Sequence, residues 1–234
     1  MGERERRVVV RRNGPLVVEG DVRLLRTAIL QTDHGEPYAW DEGPDFATSE
    51  GSYELCRCGV SERPPFCDGA CERTGFDGTE TADRGPISAR REPWEGEAVV
   101  LYDDRRLCTH AGFCTNLRTT VWALADDSDD PESMREFVGM VHQCPSGRLA
   151  YGPKDDPEAL VEPELEPSIG VEPNASYWVR GGIPVVSADG EPYEVRNRQT
   201  LCRCGHSRNK PFCDGSHKHK GFVDDARPGA DAEA

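Results

Sequence analysis

Aromatic side chains make up only 7% of this chain, and hydrophobic residues of all kinds only 36%. That is too little for one large apolar core over 234 residues, and small modules with thin cores generally depend on disulfides or metals for support. Long apolar stretches are also missing. The runs are short, Val8–Val10 among them, so neither a signal peptide nor a membrane-spanning helix is expected, and a cytoplasmic location is the working expectation. Basic charge is scarce: 28 Lys and Arg face 43 Asp and Glu, leaving a formal net charge of −15. This argues against nucleic acid, which requires a basic face. An acidic surface serves solubility and would suit a basic partner. Neither a Walker A loop nor a dinucleotide fingerprint is present.

What the chain does have is ten cysteines and abundant chain-breaking residues, 24 Gly and 18 Pro. In a reducing compartment, clustered cysteines read as metal ligands rather than disulfides. Seven of the ten fall in two copies of one pattern, "LCRCGVSERPPFCDGAC" at 55–71 and "LCRCGHSRNKPFCDGSH" at 201–217. The repeat extends outward. "NGPLVVEGDV" (13–22) resembles "NASYWVRGGI" (174–183), "HGEPYA" (34–39) resembles "DGEPYE" (189–194), and "TGF" (74–76) matches "KGF" (220–222). The offset shrinks from 161 to 155 to 146 along the copies, so the first carries insertions, with the polar "DEGPDFATSEG" (41–51) expected as one such loop. Each copy should contain short strands, a turn at Gly-Glu-Pro, a further strand and the cysteine loop. Two copies are too few for a solenoid and suit a pseudo-twofold pair, each covering the other's apolar face.

The segment between them differs. "EAVVLYDD" reads as a strand, "DDPESMREFVGMVHQ" as a short helix opened by Asp and Pro, and "GRLAYG" as a return strand. The acidic, proline-rich 155–174 stretch reads as linker, and "MGERERR" and "DDARPGADAEA" as loose ends. The expected fold is α+β and strand-rich, with two cluster-loop repeats paired about a pseudo-twofold and a small α/β module. The boundaries are 1–85, 86–160 and 161–234.

Cys202 and Cys204 sit on one tight loop, whereas Cys213 and His217, four apart, share a face if a helix starts there with Asp214 or Ser216 as its cap. Three thiolates and an imidazole make a four-ligand metal site. Cys56, Cys58, Cys67 and Cys71 repeat the spacing, and zinc would suit either set, although zinc knuckles usually use Cys-x2-Cys. C-x-C-x2-S-x3-P-x-C-D-G-S-H, running from Cys202 to His217 and followed by "KGF", resembles the signature of the CDGSH (NEET) iron–sulfur family. The resemblance implies a 2Fe–2S cluster, with Cys202 and Cys204 on one iron and Cys213 and His217 on the other. It also implies NEET-like β-caps that pack as a dimer, here supplied by one chain. The first copy keeps Ser61 and Pro65 but has Ala70 and Cys71 where the signature has Ser and His. Four cysteines are an ordinary 2Fe–2S ligand set; a decayed or zinc-filled site is the alternative.

The exchange of His for Cys adds one negative charge at the first site, so the His217 site should have the higher potential. It should also be the more labile and the more proton-coupled, because imidazole can be protonated. Arg57, Arg203, Lys210, Lys218 and Lys220 read mainly as solvated charge, with one or both Arg able to offset cluster charge. His206 and His219 read as exposed side chains.

Cys108, Cys114 and Cys144 remain. "CTHAGFC" followed by "CPSG" resembles a ferredoxin run with Ala111 at the middle cysteine position. It is similar to the small bacterial single-cluster ferredoxins with a 3Fe–4S centre, and also to the divergent single-cluster ferredoxin domain found beside CDGSH motifs. The resemblance implies a 3Fe–4S centre on three cysteines, or 4Fe–4S if His110 supplies a fourth ligand; His142 is a weaker candidate. Ser146 fits the cluster loop better than nucleophilic catalysis. The expected function is therefore non-enzymatic: a soluble multi-cluster electron-transfer protein serving redox partner proteins. One alternative is a store that hands clusters to apo-acceptors, and another is a structural zinc protein.

Overall fold

The computed structural model describes residues 5–224 and Ala226. The first copy contributes β1 (Arg7–Val10), β2 (Leu16–Glu19), β3 (Arg23–Gln31), β4 (Pro37–Asp45), β5 (Ser52–Leu55) and a one-turn helix α1 (Ala70–Arg73). The middle segment contributes β6 (Glu92–Glu95), β7 (Val99–Asp103), α2 (Val121–Asp126), α3 (Pro131–His142) and β8 (Leu149–Pro153). The second copy contributes β9 (Ser168–Val171), β10 (Tyr177–Arg180), β11 (Val185–Val186), β12 (Arg198–Leu201) and α4 (His217–Lys220).

The β-branched runs of β1 and β2 form an antiparallel hairpin. Its turn places Asn13 in the left-handed region, and the corresponding turn between β9 and β10 does the same with Asn174, a residue that tolerates this conformation. The two copies exchange strands. One sheet runs β11-β1-β2-β5 and the other β12-β10-β9-β3-β4, so each holds an edge from the opposite copy in parallel pairing. Val8 aligns with Val185, and Ile169 with Leu24; these pairs are equivalent under the 161-residue offset, which is the pseudo-twofold written in register. The apolar faces meet in a shared core that includes Val8, Leu16, Leu24, Ile169, Tyr177 and Leu201.

The middle unit has its own core of Leu101, Val121, Phe137, Val141 and Leu149 between an antiparallel β6-β7-β8 sheet and two helices. Asp130 caps α3 by accepting from the backbone N–H of Glu132 and Ser133, with Pro131 in the first turn, as the sequence predicts. Trp40 on β4 wedges this unit to the caps. Its ring lies 5.3 Å from that of Phe113 and 4.6 Å from that of Trp178, and its Nε1 donates to the Gln143 carbonyl.

Three expectations need correction. The stretch 155–174 is not all linker: Ser168–Val171 is the buried strand β9, the structural equivalent of β1, and Glu162 within the stretch pairs with the buried Arg198 at 2.7 Å. Its Pro- and Glu-rich flanks hide a four-residue strand with little alternation. Gly170 is needed there because a Cβ would lie 2.7 Å from Thr27 on β3. The 41–51 insertion is strand as far as Asp45, and Phe46 is buried. The ends are not wholly loose, since Arg7 opens β1, Asp224 pairs with Arg203, and Ala226 is fully buried; residues 1–4, 225 and 227–234 of those stretches lie outside the described residues. Among the described residues, no helix is long and apolar enough to cross a membrane.

Candidate metal centres

Strand β12 delivers Cys202 and Cys204 from a hydrogen-bonded edge. Cys202 N–H donates to the Pro211 carbonyl at 2.8 Å and Cys213 N–H to Thr200 at 2.9 Å, fixing the loop's two arms side by side. Inside the loop, the Ser207 hydroxyl donates to the Phe212 carbonyl and accepts from Asn209 N–H. The Asp214 carboxylate accepts from the backbone N–H of Arg208 and Ser216. The spacing puts Cys213 and His217 on one face if a helix starts at Cys213. The helix begins only at His217, and Ser216 makes no capping bond. The Asp-Gly turn performs the pairing instead, with Gly215 in the left-handed region.

The first loop repeats this scheme bond for bond. Cys56 donates to Pro65 and Cys67 to Glu54. Ser61 donates to Phe66, and Asp68 accepts from Glu62 and Ala70.

The donors pair off. Cys56 and Cys58 sulfurs are 3.5 Å apart, Cys202 and Cys204 3.9 Å, and Cys213 Sγ lies 3.4 Å from His217 Nδ1. Two thiolates on one tetrahedral metal sit about 3.8 Å apart, and a thiolate–imidazole pair about 3.6 Å, so each pair fits one metal atom. Among the described residues, no three His, Cys, Asp or Glu side chains are grouped to hold a single ion. Donors that come in pairs, with no third donor grouped beside them among the described residues, suit a group with more than one metal atom. Burial, with Lys218 next in weight, pushes His217 down to about 4, leaving the imidazole neutral and able to ligate. The contact with Cys58 lowers Cys56 to about 6, and burial pushes Cys213 well up.

The two loops meet back to back. Gly59 and Gly205 both have positive φ; a Cβ on Gly59 would stand 2.6 Å from the Cys204 carbonyl oxygen, and one on Gly205 would collide with that of Cys58. Neither arginine between the paired cysteines is solvated as expected: Arg57 and Arg203 are each 2% exposed. Arg57 donates to the carbonyls of Gly14, Gly78 and Arg11. Arg203 donates to the Glu172 carbonyl and to the Asp224 carboxylate. By contrast, Lys218, Lys220, His206 and His219 are exposed, as the sequence reading has them.

Exposure separates the centres. Cys202, Cys204, Cys213 and His217 are all buried, and His217 Nε2 has no hydrogen-bond partner among the described residues. In the first loop Cys56 and Cys71 are buried but Cys58 and Cys67 are half-buried. Cys67 and Cys71 also line an open depression of about 650 Å³ with Arg11, Arg12 and Phe76.

In the middle unit, Cys108, Cys114 and Cys144 line one cavity of about 500 Å³ together with His110, Ala111 and Ser146. His142 is not among its lining residues; its Nε2 lies 3.3 Å from the Val161 carbonyl. This cavity abuts the second loop, because Asp214 also lines it and a Cβ on Gly215 would collide with the His110 ring and lie 3.0 Å from the Cys108 carbonyl oxygen. Burial, followed by the charges of His219, Lys218, Arg148 and Arg105, pushes His110 below its usual value.

Two contributors escaped the sequence reading. Arg148 clamps Asp103 with two bonds of 2.6 Å and donates to Cys108 Sγ at 3.1 Å. The buried Tyr177 hydroxyl reaches across to the Cys56 and Pro65 carbonyls. Nothing local in the sequence marks either residue, since both act through contacts far along the chain.

The family model described as "Iron-binding zinc finger CDGSH type" matches residues 13–70 and 174–218. The first match stops one residue before Cys71, and the second runs past His217. The model described as "Divergent 4Fe-4S mono-cluster" matches residues 94–154. No curated protein matches the chain. Strand exchange, paired donors and these matches agree: this is an iron–sulfur protein in which two segments of the CDGSH family flank a divergent mono-cluster segment.

Proposed function

We propose that the chain is a one-electron carrier whose three centres stand in series, with the His217 centre in the middle. The observation that carries this is the contact order: the Cys58 loop lies against the Cys204 loop, and the Gly215 turn lies against His110 and Cys108. In this reading Cys56, Cys58, Cys67 and Cys71 hold one 2Fe–2S cluster, and Cys202, Cys204, Cys213 and His217 a second. Cys108, Cys114 and Cys144 hold a 3Fe–4S cluster. When bound, the clusters supply one-electron redox chemistry. The chain's residues set its direction. Neutral His217 leaves its centre one negative charge short of the Cys71 centre, which raises its potential and makes a proton-linked change at that ligand possible. The Arg148 guanidinium, donating to Cys108, favours added negative charge in the central cavity.

Iron and acid-labile sulfide per chain on anaerobically purified protein, with EPR before and after dithionite, test this reading. About seven irons with a signal in the oxidised state support it. About eight irons without that signal would place His110 among the ligands of a 4Fe–4S centre. Stoichiometric zinc in colourless protein would sink it.

Cluster handling is the second reading, and the half-buried Cys58 and Cys67 beside the open depression favour it for the first site only. Burial of His217 works against ready release from the second. A chelator that bleaches the Cys71 centre first, in a chain that stays folded, would support this reading.

A further inference from the structure

The chain's charge of −15 makes most of its surface repel acidic proteins, but the rim of the second cysteine loop has the opposite sign. A depression of about 880 Å³ there is lined by His206, Arg208, Lys210, His219 and Lys220, with Asp77 the only acid among the described lining residues. The described ion pairs do not include Lys220. Arg208 makes a loose 3.5 Å pair with Asp214 while its side chain is 91% exposed. The floor of the depression includes Gly205 and Ser216, so it opens directly over the loop that carries the buried His217 donor set. The His219 ring, on the same rim, stands 6.1 Å from the His110 ring, which lines the central cavity. Positive charge is thus concentrated beside the second cysteine loop, on the side where His219 approaches the His110 that lines the central cavity.

We propose that this basic collar is the docking site for a small acidic one-electron carrier protein. The proposal rests on the electron-carrier reading and names its partner's chemistry and point of contact. A local patch of one sign on an otherwise repulsive surface focuses an oppositely charged partner and fixes its orientation, acting mainly on the association rate. One electron leaves the reduced iron of the docked carrier, which is oxidised, and arrives at the chain's nearest centre, which is reduced. No bond is made or broken, and no proton needs to move.

The test uses the cluster-loaded full chain and an acidic 2Fe–2S ferredoxin as probe. Stopped-flow reduction of the chain by the reduced ferredoxin should slow about tenfold as salt screens the collar. It should slow by a similar factor in Arg208→Glu/Lys220→Glu, with Arg208→Ala/Lys220→Ala between the two. Calorimetry with oxidised ferredoxin should show the same order of weakening without any electron transfer. Oxidation of the dithionite-reduced chain by cytochrome c, a basic protein, should be no slower in the charge-reversed chain, which also controls for folding. Unchanged ferredoxin rate and affinity in the charge-reversed chain would overturn the docking site while leaving the carrier reading intact. Failure of dithionite to reduce any centre would overturn both.

Discussion

The two cysteine loops share their backbone hydrogen bonds residue for residue, but the His217 loop buries all four of its donors while the Cys71 loop leaves Cys58 and Cys67 half-buried, Cys67 beside a depression. The surroundings make the difference. At the second loop the middle unit presses His110 onto Gly215, and the chain returns with Asp224 onto Arg203. At the first, Arg57 finds only carbonyl partners, and Arg11 stands exposed where the second copy buries Glu172. One local scaffold, duplicated, therefore becomes two unequal sites through what the rest of the chain lays over it.

The arginines provide the hardest test of that inequality. Arg203→Met strands the nearly buried Asp224 carboxylate and should cost about 3–5 kcal/mol. Arg57→Met strands carbonyls only and should cost about 1–3 kcal/mol. Urea denaturation of both variants measures the gap, and equal losses would mean the tail contributes nothing. The interface between the loops comes next. Gly59→Ala combines a left-handed backbone with a 2.6 Å collision and should cost about 3 kcal/mol, loosening both centres although only one copy is changed. Gly69→Ala, equally left-handed but with only Arg73 at 3.7 Å, should cost about 1 kcal/mol.

Glu172 sharpens the comparison through pH. Burial raises its carboxyl from 4.5 to about 7, with Lys218 and Arg203 opposing. The folded state then binds more protons than the unfolded one between those values, so stability falls as the pH rises through that window. Glu172→Gln should flatten the fall, gaining no more than about 3 kcal/mol above the window and nothing below it. Thermal melts across the window would show it. The smallest effect is expected from Tyr177→Phe, which removes the hydroxyl that crosses to Cys56 and Pro65. It should cost about 1 kcal/mol and change the optical spectrum of the Cys71 centre more than that of the His217 centre.

Much of this was legible beforehand. The repeat spacing located both cysteine loops and their equivalent strands, and Asp130-Pro131 marked the start of α3. Other features were not legible, for identifiable reasons. Strand β9 sits in a Pro- and Glu-rich stretch, and its four residues are buried on both faces, so period-two alternation is absent. The burial of Arg57 depends on backbone carbonyls tens of residues away, and that of Arg203 on one such carbonyl and the distant Asp224 carboxylate, so local spacing signals neither. Asp214 rather than Ser216 organises the last turn because its carboxylate can accept from two backbone donors at once.

By itself, the sequence determined which side chains are available as donors and in what local pattern, because a Cys-x-Cys pair and an Asp-Gly turn are short-range geometry. The tertiary structure alone decided that the copies exchange strands, that their loops meet at Gly59 and Gly205, and that the middle unit closes over one loop and not the other. Those outcomes depend on pairings between residues far apart in the chain, where burial and backbone contact, rather than local spacing, set the free energy.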